Sequence, residues 1–569
     1  MRTKFYPIAL AIVVLIFSLP FIFKPELLTI RDNDLGRTYI PLFEFFKDSI
    51  YTKHQFPTWR PSQMMGETLI GNPLWAPIYP VNLIFLLLPV GLGAVIYLVL
   101  HLQLAAASTY FLARSFRLPA LSAFAAALFY VFSTKILLHI SAGHITMISA
   151  ASFIPLAFLS TRSLINKPSF AWIAAGAISL TAMYISYPTI FYYTIIFLTI
   201  YSIYKYPYTR IRKMGLQKLV RYLLPFVALA FITFGLAAAA LLPQIEFAPF
   251  STRNSMSFED VAQPTWNLKR FATSLLLPYI KFSSFDHEAF LYLGAVPTLL
   301  AILGFWHLPK TRKIVFGVFG LLATAFASGA STPVFKVAYE FLPSLKYSRV
   351  PTRLWFQIAL VAALLAALGV SKIKSKTITL IIITIFLAEN LFIGYTKIFS
   401  VPSLSFSNEN LYQYLAGDTQ PFRVYCTTYC FNPQLLTKYK INILAGETPI
   451  QDKKVVEFLQ AAGNYKYDRL TVIFPPYQVW QVSDPPQPNP QLLAQADVKY
   501  VASTYELNNE SFRLIDKFEN IYLYQNTLMK VPTLLSLGYQ PKSFPIGAAI
   551  SIFTILSLFL WYIFQNKAK

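Results

Sequence analysis

Two aspartates follow the first apolar segment of the chain, within the sequence Arg31-Asp32-Asn33-Asp34. A carboxylate at this place could take a proton from an attacking hydroxyl group. The pair could also hold a divalent cation, Mg²⁺ or Mn²⁺, through its oxygen atoms. Aspartates also cap turns and helix N-termini, so the spacing leaves a purely structural role open for Asp32 and Asp34.

Cationic side chains that could bind phosphate occur at four later positions. Arg349 and Arg353 flank a proline, and arginine suits phosphate because its planar guanidinium donates two hydrogen bonds at once and stays charged. His144 could bind a phosphate or a sugar hydroxyl group, or shuttle a proton, and Lys135 could pair with a lipid phosphate. The alternatives are arginines that anchor a helix end among headgroups, an interfacial histidine and a lysine that reaches toward the headgroups.

Acidic residues elsewhere give further indications. Glu246 follows an apolar segment and could face a binding site or simply the lipid headgroups. The run Asp286-His287-Glu288 has the residue types of a metal site, but adjacent residues on one helix do not share a face. We therefore expect these three residues to form a solvated helix end.

The elements that position these residues must lie in a membrane. Of the 569 residues, 56% are hydrophobic and 13% are charged, whereas a soluble domain carries about 25% charged residues. A transmembrane helix needs about 20 mainly apolar residues. We predict about a dozen crossings, namely 6–23, 81–111, 119–135, 145–161, 170–185, 188–204, 222–243, 291–308, 314–329, 353–371, 377–394 and 544–564.

The distribution of positive charge predicts the orientation. With the N-terminus inside, every predicted inner loop is basic and contains no Asp or Glu, as the positive-inside rule requires. Both termini are therefore predicted to be cytoplasmic, in the cell membrane. The net charge of +23 reflects this topology and does not indicate nucleic-acid binding. The long loops, which carry the candidate chemistry, are predicted on the outer side: 24–80, 244–290, 330–352 and 395–543.

The last outer segment, 395–543, is large enough to fold as a domain. Short β-like runs alternate there with helix-like stretches, which predicts a small extracytoplasmic α/β domain. Its two cysteines, Cys426 and Cys430, could form a disulfide or stay free. The predicted organisation is a transmembrane domain at 1–394 with its first outer loop at 24–80, then the α/β domain, then a last helix and tail at 544–569.

Several segments, taken in order, resemble the YfhO-like bacterial membrane proteins, which belong to the GT-C class of glycosyltransferases. The resemblance is carried by Asp34 and by these motifs: Tyr39-Ile40-Pro41, Pro57-Thr58-Trp59, Gly66, Gly71-Asn72-Pro73, Gly143-His144, Arg349-x-Pro351-x-Arg353 and Val498-Lys499-Tyr500-Val501. Thr38 departs from the pattern, because many members carry glutamine there.

The resemblance implies an all-α, multi-pass, GT-C-like fold and an inverting transfer of a hexose from a polyprenyl-phosphate donor. The acceptor would be an envelope glycan, a lipid or a protein. Asp34 would be the base or a metal ligand, with Asp32 as its helper, and Arg349 and Arg353 would contact the donor phosphate. A divalent cation is the one cofactor that this resemblance leaves open.

Three other functions remain open on the sequence alone. They are a lipid or glycan transporter or flippase, a non-catalytic protein that binds polyprenyl lipids, and an envelope-glycan ligase or polymerase that uses a diphosphate donor. A transporter favours charged residues deep in its spans and related halves, and neither is plain in the sequence. A Walker motif and a Rossmann glycine fingerprint are absent, so chemistry driven by ATP or a dinucleotide is not expected.

Overall fold

Helices form most of the computed structural model, which describes residues 2–205, 215–254, 256–263, 286–468, 470–479, 482–530, 532 and 536–567. Helices α1 to α12 are Arg2–Phe23, Glu26–Thr29, Ile40–Tyr51, Ile84–Leu87, Val90–Ser115, Ala120–Val131, Thr134–Ser141, Ile145–Ser152, Ile154–Asn166, Phe170–Ser186, Pro188–Lys205 and Leu216–Phe247. Helices α13 to α24 are Phe258–Val261, Asp286–Ala289, Ala295–Trp306, Lys310–Ala327, Pro333–Phe341, Trp355–Val370, Lys376–Ser400, Glu409–Ala416, Pro433–Lys438, Lys453–Gly463, Pro490–Gln495 and Phe544–Lys567. Strands β1 to β9 are Trp59–Arg60, Glu67–Thr68, Arg423–Cys426, Asn442–Ile443, Gly446–Glu447, Ile473–Phe474, Val498–Ser503, Phe512–Phe518 and Ile521–Asn526.

Eight helical segments in the described part of the chain are long and apolar enough to cross a membrane. They are Phe5–Phe23, Val90–Ser115, Ala120–Ser141, Ile145–Asn166, Leu216–Phe250, Pro351–Val370, Lys376–Ser400 and Phe544–Ile563. The shorter apolar helices α10 and α15, together with α11 and α16, coincide with the other four predicted crossings. The predicted fold class, a multi-pass helical membrane protein with a small α/β region, is confirmed.

Several predicted crossings are interrupted where the backbone cannot continue a helix. The segment predicted at 81–111 breaks at Pro89. Pro155 stands at the start of α9, after the break that separates it from α8. Proline has no N–H to donate, so it does not continue a preceding helix. The break between α6 and α7 falls at Ser133, whose backbone is extended and whose hydroxyl donates to Tyr130 O at 2.8 Å.

A five-stranded mixed sheet forms the centre of the α/β unit that follows α19. Its strand order is β4-β3-β7-β9-β8; β3 is parallel to β4 and β7, and β9 is antiparallel to β7 and β8. Successive residues of a strand face opposite sides. Tyr425 and Val501 therefore pack with α22 and α23, whereas Val424 and Ala502 pack with α20 and α21. The sheet is covered by helices on both faces.

The first outer loop contributes to the core of this unit. Met64 and Met65 are buried among residues of α22 and of the sheet. The N–H of Ile443, in the edge strand β4, donates to Ser62 O at 2.8 Å. Loop and α/β unit therefore pack as one body beside the ends of the membrane helices.

The two cysteines of the chain form a disulfide bond. Cys426 ends β3, and Cys430 lies four residues later. The bond closes the turn that follows the strand and lines a cavity next to Tyr429. Of the two states that the sequence left open, the structure has the bonded one.

The first outer loop contains an amphipathic helix, α3. Its residues Leu42, Phe43 and Phe46 are buried, whereas Glu44 is exposed. The Phe43 ring stacks on that of Phe85, with a centroid distance of 3.7 Å. The apolar face of α3 therefore lies against the protein.

Helices α15 and α18 approach each other closely at two glycines. A Cβ on Gly304 would lie 1.9 Å from Leu365 O, and a Cβ on Gly369 would lie 2.2 Å from Leu300 O. In a membrane, small residues let two helix backbones come together and gain van der Waals contact. This contact fixes the position of α18, whose first turn follows directly on Arg353.

Replacing Gly304 by alanine should lower the thermal unfolding midpoint of the detergent-solubilised protein. The added methyl group has no space, and overpacking of this kind costs about 1–3 kcal/mol. Gly320→Ala in α16 is the matched control, because nothing lies within 4 Å of its Cβ position and alanine favours a helix by roughly 0.5–1 kcal/mol. The two midpoints should move in opposite directions. A Gly304→Ala midpoint equal to that of the wild type would contradict the close packing.

Candidate functional site

Asp34 lies where the first outer loop meets the turn between α7 and α8. Asn33 Nδ2 donates to Ser141 O at 2.8 Å and ties the loop to the end of α7. Gly143 has a φ of +78°, and a Cβ there would lie 2.2 Å from Leu35 N. Only glycine permits this approach. The turn therefore holds Asp34 beside the residue that follows Gly143.

That residue, His144, is the direct partner of Asp34. Its Nε2 lies 3.2 Å from Asp34 Oδ2. Burial by itself would raise the pKa of Asp34, but the hydrogen bond and charge of His144, with the charge of Arg37, bring this pKa below its ordinary value. The Asp34 side chain nevertheless keeps 42% of its surface accessible. It is thus an ionised carboxylate with one oxygen held and part of its surface open.

Glu288 is the centre of a buried ionic group. Its Oε1 accepts hydrogen bonds from two nitrogens of Arg353 at 3.0 and 2.8 Å. Its Oε2 lies 3.7 Å from Lys135 Nζ and 3.4 Å from His139 Nε2. Burial alone would raise the pKa of Glu288, but the charges of Arg353 and Lys135 hold it well below its ordinary value. The expectation of a solvated helix end is wrong for Glu288, because the short helix α14 turns this side chain inward.

Three histidines connect the aspartate with the ionic group. The ring of His144 lies 5.2 Å from that of His139 and 4.9 Å from that of His287, measured between centroids. Asp34 and Glu288 therefore belong to one continuous site. His139 and Glu288 are site residues that the sequence did not indicate, although His139 stands only five positions before His144.

Lys135 lies inside the protein. Its Nζ donates to the backbone oxygens of Glu288 at 2.9 Å and of His287 at 3.3 Å. These contacts hold α14 against α7. A direct contact of Lys135 with a lipid phosphate stays a prediction; in the structure this ammonium group serves the neighbouring backbone and Glu288.

Further arginines lie next to Arg353. Arg349 donates to Leu470 O at 3.5 Å, and Arg253 donates to Pro449 O at 2.5 Å. The Nε atom of each has no partner in the described part of the chain. Burial, with the charge of neighbouring arginines, lowers the pKa of both Arg253 and Arg349. The structure thus brings the two predicted arginines together and adds Arg253, for which the sequence offered no signal.

Asp32 faces a different neighbour. Its Oδ1 lies 3.5 Å from a terminal nitrogen of Arg37, whose Nε lies 3.5 Å from Glu447 Oε2. Burial raises the pKa of Glu447 to about 7, although Arg37 acts against this rise. Arg37 and Glu447 line a cavity of about 40 Å³ on this side of the loop. A cation shared by Asp32 and Asp34 stays a prediction, and their carboxylates contact different groups.

Glu246 has contacts of another kind. Its carboxylate accepts hydrogen bonds from Tyr539 Oη at 2.7 Å, from Lys542 N at 3.0 Å and from Ser543 N at 2.8 Å. These bonds hold the segment that leads into α24. The structure therefore gives Glu246 an anchoring contact and does not place it among the partners of Asp34.

The family of the chain follows from its sequence as a whole. The profile of the family described as bacterial membrane protein YfhO matches residues 6–443. The chain belongs to the YfhO family. This match ends in β4, so the YfhO-like motif at 498–501 lies beyond it and stays a prediction. None of the curated proteins matches the chain.

Solved structures place this YfhO-family protein in a known fold. Arabinofuranosyltransferase AftD from mycobacteria has a TM-score of 0.58 at 12% identity, covering 92% of this chain and 40% of the AftD chain. A mutant of AftD has a TM-score of 0.55 at 11% identity, covering 93% of this chain and 42% of the AftD chain. ArnT from Cupriavidus metallidurans, bound to undecaprenyl phosphate, gives 0.47 at 12% identity, with coverages of 92% and 98%. The likeness to AftD confirms the predicted GT-C-like fold; the chain spans about two fifths of the length of AftD.

Replacing Glu288 by glutamine should strongly destabilise the protein. The change leaves the buried guanidinium of Arg353 and the ammonium of Lys135 without a counter-charge, and breaking a buried ion pair in this way costs about 3–5 kcal/mol. Thermal unfolding in detergent should show a clear fall in the midpoint.

Glu457→Gln provides the matched control for this change. Glu457 forms an exposed pair with Lys453, one helical turn away, and such surface pairs contribute little to stability. Its midpoint should stay close to that of the wild type. If the Glu288→Gln midpoint stayed there too, the buried ionic group could not have the stabilising role derived above.

Proposed function

We propose that this protein is a membrane glycosyltransferase. It moves a sugar from a polyprenyl-phosphate donor to a hydroxyl group of an envelope glycan, lipid or protein at the outer face of the membrane. The observation that carries the proposal is one continuous site with an open carboxylate, Asp34, at one end and a cluster of buried arginines at the other. Membership of the YfhO family and the fold shared with AftD support it.

The arginine end suits a phosphate group. Arg253, Arg349, Arg353 and Lys135 form a cluster of cationic side chains. The carboxylates within electrostatic reach of this cluster are those of Glu288 and, for Arg349, also Asp468. Buried charge that lacks a counter-ion is costly, so an anion bound there lowers the free energy of the site. The Nε atoms of Arg253 and Arg349, which have no partner among the described residues, offer donors to it. Phosphate is the anion whose oxygens match planar guanidinium groups.

The arginines also lie near a helix N-terminus. Arg349 and Arg353 precede α18, a helix of 16 residues. The N-terminal end of such a helix carries partial positive charge and unsatisfied N–H groups, which favour an anion. The same charges stabilise the phosphate when it leaves the sugar. The lipid tail of the donor then lies between membrane helices, below the phosphate.

The aspartate end suits the acceptor. His144 holds one oxygen of Asp34, and the accessible part of the carboxylate can take the proton of an incoming hydroxyl group. Tyr39 lies within electrostatic reach of both Asp34 and Arg353, so the two ends of the site belong to the same region of the protein. Attack from the Asp34 side, with phosphate leaving toward the arginines, inverts the configuration of the anomeric carbon.

The orientation follows from the positive-inside rule. With both termini cytoplasmic, the first outer loop and the α/β unit lie outside. The acceptor then reaches Asp34 from the side of Arg37 and Glu447, where the first outer loop meets that unit.

Replacing Asp34 by asparagine should abolish transfer. Asparagine keeps the size of the side chain but cannot take a proton, and loss of a general base lowers the rate about 10²–10⁴-fold. The measurement is the initial rate at which radiolabelled sugar moves from a panel of polyprenyl-phosphate hexoses into acceptors in membrane fractions.

Asp48→Asn is the matched control for this experiment. Asp48 lies in the same outer loop and pairs with Lys440 and Lys53 at the surface, so its variant should transfer sugar at the wild-type rate. Equal rates for the wild type and Asp34→Asn would remove Asp34 as the base. Loss of transfer in Asp32→Asn alone would assign the role to Asp32. No transfer by the folded wild-type protein with any donor would favour lipid binding or transport.

Replacing Arg349 by glutamine should weaken the binding of the donor more than it slows the chemical step. One charge and up to two hydrogen bonds to phosphate are lost, and each charge-assisted bond is worth about 1.5–3 kcal/mol, so KM for the donor should rise roughly 10-fold or more. Arg513→Gln is the control, because Arg513 lies exposed on the outer sheet and contacts Gln525. A KM of Arg349→Gln equal to that of this control would separate Arg349 from the phosphate site.

A further inference from the structure

Three polar atoms without a hydrogen-bond partner in the described chain belong to neighbouring side chains of the site. They are His139 Nε2, His144 Nδ1 and Glu288 Oε2. The side chains of His139 and Glu288 are 0% and 3% exposed, and that of His144 is 15% exposed. One ligand atom from each of the three residues lies within 4.8 Å of the others. Buried polar atoms normally have partners, so this group requires an explanation.

The hydrogen bonds around the two imidazoles fix which nitrogen carries the proton. His139 Nδ1 lies 2.7 Å from Lys135 O, and a carbonyl oxygen only accepts, so Nδ1 carries the hydrogen. His144 Nε2 lies 3.2 Å from the ionised carboxylate of Asp34, so there Nε2 carries it. In the neutral rings the lone pairs are therefore on His139 Nε2 and His144 Nδ1, the two atoms without partners.

The lone pair of His139 faces another acceptor. Its Nε2 lies 3.4 Å from Glu288 Oε2, and a neutral imidazole nitrogen and a carboxylate oxygen repel each other unless a cation lies between them. Two ligands on a tetrahedral ion with bonds of about 2.0–2.2 Å are separated by roughly 3.3–3.5 Å. The pair formed by His139 Nε2 and Glu288 Oε2 already has that spacing, and the ligand atoms of all three residues lie within 4.8 Å of one another.

The neighbouring cations leave this oxygen free. Arg353 donates both of its hydrogen bonds to Oε1 of Glu288. Lys135 donates to backbone oxygens and stays 3.7 Å from Oε2. Glu288 can therefore give Oε2 to a metal while Oε1 stays bound to Arg353.

We propose that His139 Nε2, His144 Nδ1 and Glu288 Oε2 form a binding site for a divalent metal ion, of which Zn²⁺ is the best match. Two imidazoles and one carboxylate are a ligand set typical of zinc sites that keep a fourth position open. Imidazole ligands favour zinc over Mg²⁺. Metal-binding histidines usually donate their other N–H to a carboxylate or a backbone carbonyl, and Asp34 and the Lys135 carbonyl stand in those places.

This site differs from a cation held by Asp32 and Asp34. Asp34 acts here from behind His144 and orients its ring, and Asp32 has no part in it. The competing occupant is a proton on His139, which would give an imidazolium that donates to Glu288. Metal analysis distinguishes the two occupants without reference to sugar transfer, so a failure of this proposal and a failure of the proposed function are separately visible.

The test measures zinc bound to the purified full-length protein after removal of any affinity tag. The protein in detergent is equilibrated with a zinc buffer and analysed by mass spectrometry for metal content. The wild type should bind one zinc ion per chain, and the affinity of His139→Gln and of His144→Gln should fall at least 10-fold. His101→Gln is the matched control: His101 is also a buried histidine, held by Tyr79 Oη at 2.6 Å and Tyr97 O at 2.6 Å, and its variant should bind zinc as the wild type does.

X-ray absorption at the zinc edge gives a reading that does not depend on the variants' stability. The wild-type spectrum should contain scattering from two imidazole rings and from oxygen. The proposal would be overturned by a spectrum that shows zinc bound to sulfur or to a single imidazole. It would also be overturned by an unchanged zinc affinity in both histidine variants, or by a wild type that binds no zinc. In the last case the proton is the occupant of the group.

Discussion

A buried carboxylate is stable as an anion only when cations lie next to it. The buried carboxylate of Glu288 therefore requires Lys135 and Arg353 to lie beside it. Its partners come from distant parts of the chain, since Lys135 lies on α7 and Arg353 lies before α18. Each partner is needed by the others, because removing the carboxylate leaves two buried cations and removing a cation leaves a buried anion. The ends of α7 and α18 and the short helix α14 are thereby held at fixed positions. The close glycine contact between α15 and α18 adds a steric constraint near the C-terminal ends of these two helices, away from the ionic group.

The first outer loop depends on that arrangement. The turn after α7 can receive the loop only because Gly143 lets the backbone of Leu35 approach and because Asn33 reaches Ser141 O. Asp34 is therefore positioned by two backbone constraints before any electrostatic effect acts on it. His144 then links the loop to the histidine group, so a shift of α7 would move the open carboxylate and the arginines together. Asp34 and the arginine cluster are therefore held by the same elements of the structure.

Much of this could be predicted from the sequence, and the exceptions have a common cause. Apolar length and basic inner loops predict the membrane helices, since both are local properties. Asp34, His144, Arg349 and Arg353 were found because each lies in a short motif. Glu288 was misjudged, since its burial depends on Arg353, 65 positions later. Arg253 and the break at Ser133 have no local marker, and strand order depends on pairings between residues far apart in the chain.

The placement of buried charge also bears on what the site does. In the described ranges, the buried charged side chains belong to the first outer loop, to the α/β unit, and to the group formed by Lys135, Glu288 and Arg253. A transporter needs ionisable groups along a path between the two membrane faces. Here the charges gather at one end of the helix bundle, next to the loops that carry Asp34. Such a distribution places a strong field at that end of the bundle. It suits a reaction in which a charged leaving group is formed and held at one face of the membrane, as the transfer of a sugar from a lipid phosphate requires.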